Sequence, residues 1–180
     1  MPDEQVRFRD GAAGDAEAIA ALHTASWRTA YAGIMPQDYL EGPLLEERRA
    51  LWRGRLAGGG ASGHLIIAES GADLAGFAYL MPRADGRILI DNLHVHPGRK
   101  RSGLGGRLLR RAFEWAAAAH PGSVVYLEVL ADNAPAIAFY ERHGGRRTDR
   151  RTAVFPQGFA LDEYEYSWPQ VVPADLGGRN

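Results

Sequence analysis

Between residues 96 and 113 the chain reads HPGRKRSGLGGRLLRRAF. Three cations, Arg99, Lys100 and Arg101, run into Gly103, Gly105 and Gly106, and helical periodicity follows. The start of a helix leaves backbone N–H groups without partners and concentrates partial positive charge. Glycines there remove the side chains that would hold a ligand away, so the main chain from 101 to 106 has the chemistry of a pyrophosphate cradle with cations at its rim. A glycine cluster by itself is equally a solvated surface turn. What points to a ligand is its place, after a strand and at the opening of an amphipathic helix inside a crossover unit. A G-x-G-x-x-G frame begun at Gly103 meets Leu108, and no ribose-binding acid follows a second strand, so a dinucleotide fingerprint fits badly. No G-K-[ST] is present, so a triphosphate loop fits worse.

The remaining reactive groups are oxygens and nitrogens. The chain has no cysteine, which removes disulfides, thiolate zinc sites and a cysteine nucleophile together. His94 and His96 form a His-x-His pair, but no third clustered ligand accompanies them, so they are read as outward or loop-facing and no metal is expected. A net charge of −1 argues against a nucleic-acid surface built on overall charge. The amino terminus is acidic, and no run approaches the roughly 18 apolar residues of a membrane span. A soluble, cytoplasmic protein without nucleic-acid or membrane partners is expected, as one domain over residues 1–170 with a fraying tail over 171–180.

The elements that must position the cradle can be read along the chain. Residues Gln5 to Arg9 alternate like a strand, and Asp15 sits at an N-cap position ahead of Ile19, Leu22, His23 and Trp27 at helical spacing. Gly33 and Pro36 end that helix, LLEERRALWRGRL resumes the period, and AGGGASG stops it. HLIIAES, LAGFAYLM and RILIDNLHV, separated by GAD and PRADG, predict three strands in an antiparallel meander. A helix from Leu104 to about Ala119 then leads to the strand VVYLEVL, an order that favours a parallel, right-handed crossover. Its inward face is predicted to hold Leu104, Leu108, Ala112, Trp115 and Ala116, with Arg107, Arg110, Arg111 and Glu114 outside. A helix over APAIAFYERHG closes at Gly144 and Gly145, and RRTDRRTAVF and LDEYEYSW form a last hairpin.

The cradle and the segment after it together resemble the GNAT superfamily of acyl-CoA-dependent N-acyltransferases, over nearly the whole chain. That family's Q/R-x-x-G-x-G/A loop is similar to Lys100-Arg101-Ser102-Gly103-Leu104-Gly105, and LHVHP stands where L-[YH]-V-x-P is common. LEVLADNAPAIAFYERHGG resembles L-x-V-x-x-x-N-x-x-A-x-x-x-Y-x-x-x-G-F, in the right order and distance. Two positions depart: Lys100 replaces the usual Arg or Gln, and Arg101 the usual Gly. The resemblance implies a mixed α/β domain, with a central, largely antiparallel sheet, one β-α-β crossover and flanking helices. It implies acetyl-CoA as co-substrate, a primary amine on a small molecule or protein as acceptor, and room for a homodimer.

It also implies roles. The strands RILIDNLHV and VVYLEVL would splay apart, and main-chain groups of Leu93, His94 and Val95 would pair with pantetheine amides, the amide near Leu93 polarising the thioester. Gly106 joins the loop residues in holding phosphate, and Asn133 contacts the cofactor arm, with a helix N-cap as its other reading. Direct attack by a neutral amine needs a base, because an ammonium has a pKa of roughly 10. Glu128, opposite in direction to Leu127 and Val129, resembles the base of some members; Asp91 and His94 or His96 are the other candidates, and a solvated strand glutamate is the plain alternative. Tyr140 occupies the motif position of the acid that protonates the departing thiolate. The acceptor pocket is expected from SWRTAYAGIMPQDYL and VFPQGF, with Trp27, Tyr31, Tyr39, Phe155 and Phe159 as walls and Asp38 or Glu41 receiving a cation. Two rival readings keep the loop but not the reaction: a catalytically idle acyl-CoA-binding or sensor module, and a binder of some other phosphate ligand.

Overall fold

A computed structural model describes residues 6–58 and 63–169. The expected first strand residue Gln5, the centre of the AGGGASG loop and the tail over 171–180 lie outside the described residues. Strand β1 (Arg7–Asp10) leads through a single turn of tighter helix to α1 (Ala16–Ala30). Asp15 does precede α1, but it makes no side-chain cap there. Its carboxylate turns back instead, accepting from Arg9 at 2.7 and 2.9 Å and from the Ala12 N–H at 2.8 Å. After α1 come α2 (Gln37–Glu41), α3 (Leu44–Ala57), β2 (His64–Ser70), β3 (Asp73–Pro82), β4 (Ile88–Val95), α4 (Leu104–Ala119), β5 (Val125–Leu130), α5 (Ala134–Arg142), β6 (Arg146–Val154) and β7 (Ala160–Trp168). Helix α2 occupies a stretch read from sequence as a helix break.

The strands form one sheet in the order β1-β2-β3-β4-β5-β7-β6. All neighbours run antiparallel except β4 and β5. This is the expected mixed α/β architecture, with the meander β2-β3-β4, the crossover through α4, and the β6–β7 hairpin. The hairpin joins by its second strand, so β7 lies between β5 and β6.

Two features open the centre of the sheet. The β3–β4 register steps from Leu80↔Ile90 to Tyr79↔Asn92, leaving Asp91 as an extra residue in β4. Such a bulge bends its strand and increases its twist. Strands β4 and β5 then pair only at Ile88↔Val125 and Leu89↔Tyr126, whereas β5 stays paired with β7 as far as Leu130↔Glu163.

Helix α4 is held to one face of the sheet by Leu104, Leu108, Leu109, Ala112, Phe113 and Ala116, all buried. Trp115, expected on that face, lies at the edge of the stripe and is only partly buried. Its ring stacks on His64 at 4.6 Å. The opposite face packs Ile19, Ala20 and Leu22 of α1 and Trp52 of α3 against Leu65, Ile67, Phe77 and Tyr79. A third cluster, Met35, Tyr39, Leu40 and Leu44 against Leu130, closes one end of the molecule. Leu108 is fully buried, and its Cδ1 would stand 2.9 Å from a Cβ on Gly76, so β3 admits it only because that residue is glycine. Leu108→Ala is expected to cost about 2–5 kcal/mol, read as a lower urea midpoint at unchanged slope, because it empties the contact that seats α4.

Candidate functional site

The cradle is built from a short turn and two left-handed residues. His96 Nδ1 accepts the Gly98 N–H at 3.1 Å, and Ser102 Oγ donates to the Arg99 carbonyl at 2.7 Å. Gly103 has φ +76 and precedes α4, whose first internal bond runs from the Arg107 N–H to the Gly103 carbonyl at 3.2 Å. The amides of Leu104, Gly105 and Gly106 lie ahead of that bond, where a helix offers them no carbonyl. A Cβ on Gly103 would meet nothing within 4 Å, so its backbone angle and outside approach are what demand glycine. Gly105 and Gly106 have a second reason. A Cβ would come within 3.3 Å of the Phe139 ring at Gly105 and 2.8 Å of His143 Nε2 at Gly106, so these glycines also let α5 close against α4. Beside them a 300 Å³ cavity is lined by Gly103, Gly106, Arg107, Arg110, Phe113 and His143. Lys100 and Arg101 are exposed at the rim, and Arg101 adopts φ +65.

The gap between β4 and β5 begins beside this cradle. The His96 N–H donates to the Ala75 carbonyl at 2.8 Å, and Val95 and His94 pair in register with Gly76 and Phe77. Alternation along an antiparallel ladder then turns the N–H and C=O of Leu93 and Val95 away from β3, toward the gap. Their side chains pack on the α4 face.

His94 does not face outward as the sequence suggested. It looks toward α1, with Nδ1 2.9 Å from Ser26 Oγ and its ring 4.7 Å from that of His23. Desolvation, aided by the charges of Arg48 and Lys100, pushes its pKa down to about 3, so it is neutral at physiological pH. His96 is exposed and committed to the turn.

Three carboxylates share the α1-facing side of the opened sheet. Glu128 lies opposite Glu165 across the β5–β7 ladder, and Glu163 lies opposite Leu130. Arg151 bridges two of them, Nη2 at 2.6 Å from Glu128 and Nε at 2.5 Å from Glu163, while Arg87 Nη1 holds Glu165 at 3.1 Å. Desolvation raises the Glu128 pKa above the ordinary carboxylate range; Arg151 opposes the rise, and Glu163, Asp91 and Glu165 add to it. Asp91 is paired with Arg55 at 2.7 Å, which also donates to Asn92 Oδ1 at 3.0 Å.

Tyr140 on α5 is partly buried. Desolvation, then the neighbouring Tyr31 hydroxyl, raises its pKa, so the phenol keeps its proton well above neutrality. Asn133 is the N-cap of α5, Oδ1 accepting the Ala136 N–H at 3.4 Å.

Trp27, Tyr31, Tyr39, Phe155 and Phe159 gather in the end cluster. Phe155 and Phe159 stack at 4.6 Å, and Tyr39 stands 5.5 Å from Phe159. Asp38 and Glu41 are exposed on α2, Glu41 bonded to Gln37 at 2.8 Å. Arg48, Arg55 and Arg151, not singled out from sequence, are the cations placed among these groups. For the first two a signal existed: Leu44, Arg48, Trp52 and Arg55 repeat at helical spacing, which puts both arginines on the inward stripe of α3.

A glycine-opened helix beside a parted pair of parallel strands, with acids on one side of the parting and a tyrosine on the other, defines an acyltransferase-type scaffold. Residues 19–145 match the Acetyltransferase (GNAT) family. A Mycobacterium tuberculosis relative described as a probable N-acetyltransferase is 31% identical over 147 residues, covering 79% of this chain and 80% of the relative. Streptothricin acetyltransferase of Streptomyces lavendulae is 38% identical over 80 residues, 44% of this chain and 42% of that one. Among solved structures, the PaiA N-acetyltransferase of Thermoplasma acidophilum in complex with coenzyme A superposes with a TM-score of 0.74 at 18% identity, over 91% of this chain and 99% of that one. The chain belongs to the GNAT acetyltransferase family, whose chemistry is acetyl transfer.

Among the described residues no helix is long and apolar enough to cross a membrane. Nor does any group of three or more His, Cys, Asp or Glu side chains among them form a metal-binding cluster.

The departure at position 101 has a measurable consequence. A left-handed conformation costs an L-residue roughly 1–2 kcal/mol, of which the greater freedom of an unfolded glycine would return about half. Arg101→Gly is therefore expected to stabilise the chain by about 0.5–1 kcal/mol and Arg101→Val to destabilise it, both read from denaturant midpoints.

Proposed function

We propose that this protein moves the acetyl group of acetyl-CoA to a primary amine, with Glu128 as base and Tyr140 as acid, in a cytoplasmic setting. The observation that carries this reading is the parting of β4 from β5 beside the start of α4. It leaves the Leu93 and Val95 peptide groups without a strand partner next to amides without a helix partner. A long chain bearing amides at one end and phosphates at the other suits both. The residues present fit such a group: Gly103 leaves open space over the first turn of α4, and Lys100, Arg101, Arg107 and Arg110 supply positive charge around it. The coenzyme A in the Thermoplasma acidophilum complex supports the same choice.

The acceptor arrives as an ammonium and must lose a proton before its nitrogen bonds to the thioester carbon. Glu128 takes that proton. Its burial lifts its proton affinity toward neutrality, and its side of the sheet carries Glu163 and Glu165 to attract a cation. Asp91, locked to Arg55, acts as a fixed negative charge that strengthens Glu128 as a base. As the carbon–sulfur bond breaks, Tyr140 supplies a proton to the thiolate, a role suited to a phenol kept protonated by desolvation.

The 2.6 Å contact of Arg151 with Glu128 favours one other reading, in which Glu128 is a structural ion-pair partner and the protein binds acyl-CoA without turnover. Thiol release from acetyl-CoA over a panel of primary amines separates the two; none from any amine would leave only binding.

Glu128→Gln is expected to lower kcat by about 10²–10⁴-fold. In the wild type, kcat/KM falls as pH drops through the raised Glu128 pKa, because the protonated carboxyl takes no proton. Arg151 holds that pKa down, so Arg151→Gln should move the acid limb to higher pH. A limb that stays in place or moves down contradicts Glu128 as base. Tyr140→Phe should reduce turnover while the acetyl-CoA dissociation constant changes by less than about threefold, measured by calorimetry.

A further inference from the structure

Arg48 lies on the inward stripe of α3, between the fully buried Leu44 and Trp52, where the helix otherwise presents apolar groups. Its guanidinium covers the face of Trp27 at 4.5 Å, and 15% of the side chain remains accessible. Its carboxylate contact is to Glu47, the preceding residue, and is long at 3.7 Å. That carboxylate is shared, since it also accepts from Tyr39 at 3.1 Å and from Gln157 at 3.4 Å. Arg48 Nε is buried with no hydrogen-bond partner among the described residues, the guanidinium's other polar neighbour being the neutral Tyr39 hydroxyl. A half-neutralised guanidinium in such a place is costly unless something completes its coordination.

On the α1 side Arg48 meets no carboxylate among the described contacts, only rings. The Trp52 indole N–H, which can only donate, gives its hydrogen to His23 Nδ1 at 3.0 Å. The neutral His23 ring therefore carries its proton on Nε2, and that atom is buried without a partner. Desolvation, with the neighbouring His94 ring and the charges of Arg48 and Arg55, keeps His23 neutral. His23 stands 5.2 Å from Trp27, whose ring is in turn 5.2 Å from Tyr31, so this corner runs into the aromatic end cluster. Tyr31 in turn feels the charge of Glu163, which shares Arg151 with Glu128. Charge is thus segregated: excess negative at the sheet, and an under-paired cation with an orphan N–H at the helices.

We propose that the acceptor is a small amine that also carries a carboxylate, its ammonium directed to Glu128 and its carboxylate to the guanidinium of Arg48. This rests on the acetyltransferase reading and narrows its substrate class to amino acids and related amino-carboxylates. A protein amino terminus, which has no carboxylate nearby, would leave Arg48 as it is found here.

Matched pairs that differ by one carboxylate test the assignment: L-phenylalanine against phenethylamine, L-leucine against isoamylamine, and δ-aminovalerate against butylamine, each assayed for thiol release from acetyl-CoA. The wild type is expected to prefer the carboxylate-bearing member of at least one pair by about tenfold or more in kcat/KM, as an ionic contact to a partly buried partner allows. Arg48→Gln should bring that ratio to within about twofold of one by raising KM for the acid several-fold more than for the simple amine. Should Arg48→Gln fail to fold, Arg48→Lys keeps the charge but loses the planar fork, and the ratio should still fall several-fold. Equal use of both members of every pair, a preference for the simple amine, or a ratio unmoved by the substitution overturns the assignment while leaving the acetyltransferase intact. Thiol release from none of the six sinks the acetyltransferase reading for this class of amine. Calorimetry of L-phenylalanine and phenethylamine then decides the anion site: tighter binding of the acid, lost in Arg48→Gln, supports it, and equal heats refute it.

Discussion

One extra residue in β4 governs the centre of this molecule. Asp91 has no opposite number on β3, and the bulge sends it and Asn92 to the same guanidinium, that of Arg55. Arg55 is itself seated over Trp52 at 5.1 Å and Tyr79 at 4.8 Å, so the bulge is clamped from α3 rather than left to relax. A strand bent at that point cannot follow its parallel neighbour, while β5 stays paired with β7 along its other edge. The consequence is a short length of β4 whose outward peptide groups have lost their partner, in the middle of a sheet where buried groups are otherwise paired. The gap is thus an unmet hydrogen-bonding demand with a defined direction, leading from the start of α4 to the carboxylates of β5 and β7.

The α4 side of the gap depends on close approach between two helices. Gly105 and Gly106 admit Phe139 and His143, and His143 Nδ1 lies 2.8 Å from the Phe139 carbonyl, at the end of α5. The last turn of α5 is fixed further by Trp168, whose Nε1 donates to the His143 carbonyl at 2.8 Å. Trp168 fills the space that a Cβ on Gly145 would enter at 2.7 Å, so the position where the family pattern has an aromatic is here supplied from β7. Tyr140 stands 6.1 Å from the same indole. Tyr140 and the glycine turn are therefore referenced to one packed unit, although more than thirty residues separate them in sequence.

What the sequence disclosed was local. GAD and PRADG are turn chemistries between apolar runs, and the glycine-to-helix transition at 103 and 104 has its own physical signature, so the meander and crossover were legible. The clustering of Trp27, Tyr31, Tyr39, Phe155 and Phe159 was legible as well, because they fall in two segments that a strand count brings to one end. Helix α2, at five residues, is too short to show a period, and the place of β7 beside β5 is a pairing between distant segments. The bulge at Asp91 is marked by no glycine or proline. His94 was assigned outward from its place before a loop, whereas the same bulge sets its direction, toward Ser26. Arg151 looked like one more charge in RRTDRR until the hairpin laid it between Glu128 and Glu163.

That last placement resolves an apparent conflict in the site. A carboxylate bound to an arginine is usually a poor base, since the ion pair lowers its pKa, yet Glu128 is raised. Arg151 is divided between two carboxylates and its side chain is 56% exposed, so when Glu128 gains a proton the guanidinium still has Glu163 and solvent as partners. The proposed proton transfer converts an ammonium and a carboxylate into an amine and a carboxylic acid. Burial penalises both charged reactants, so the desolvation that lifts Glu128 also lowers the proton affinity of an amine entering beside it. The two pKa values are drawn toward one another from opposite sides, which favours release of the nitrogen lone pair in the proposed attack.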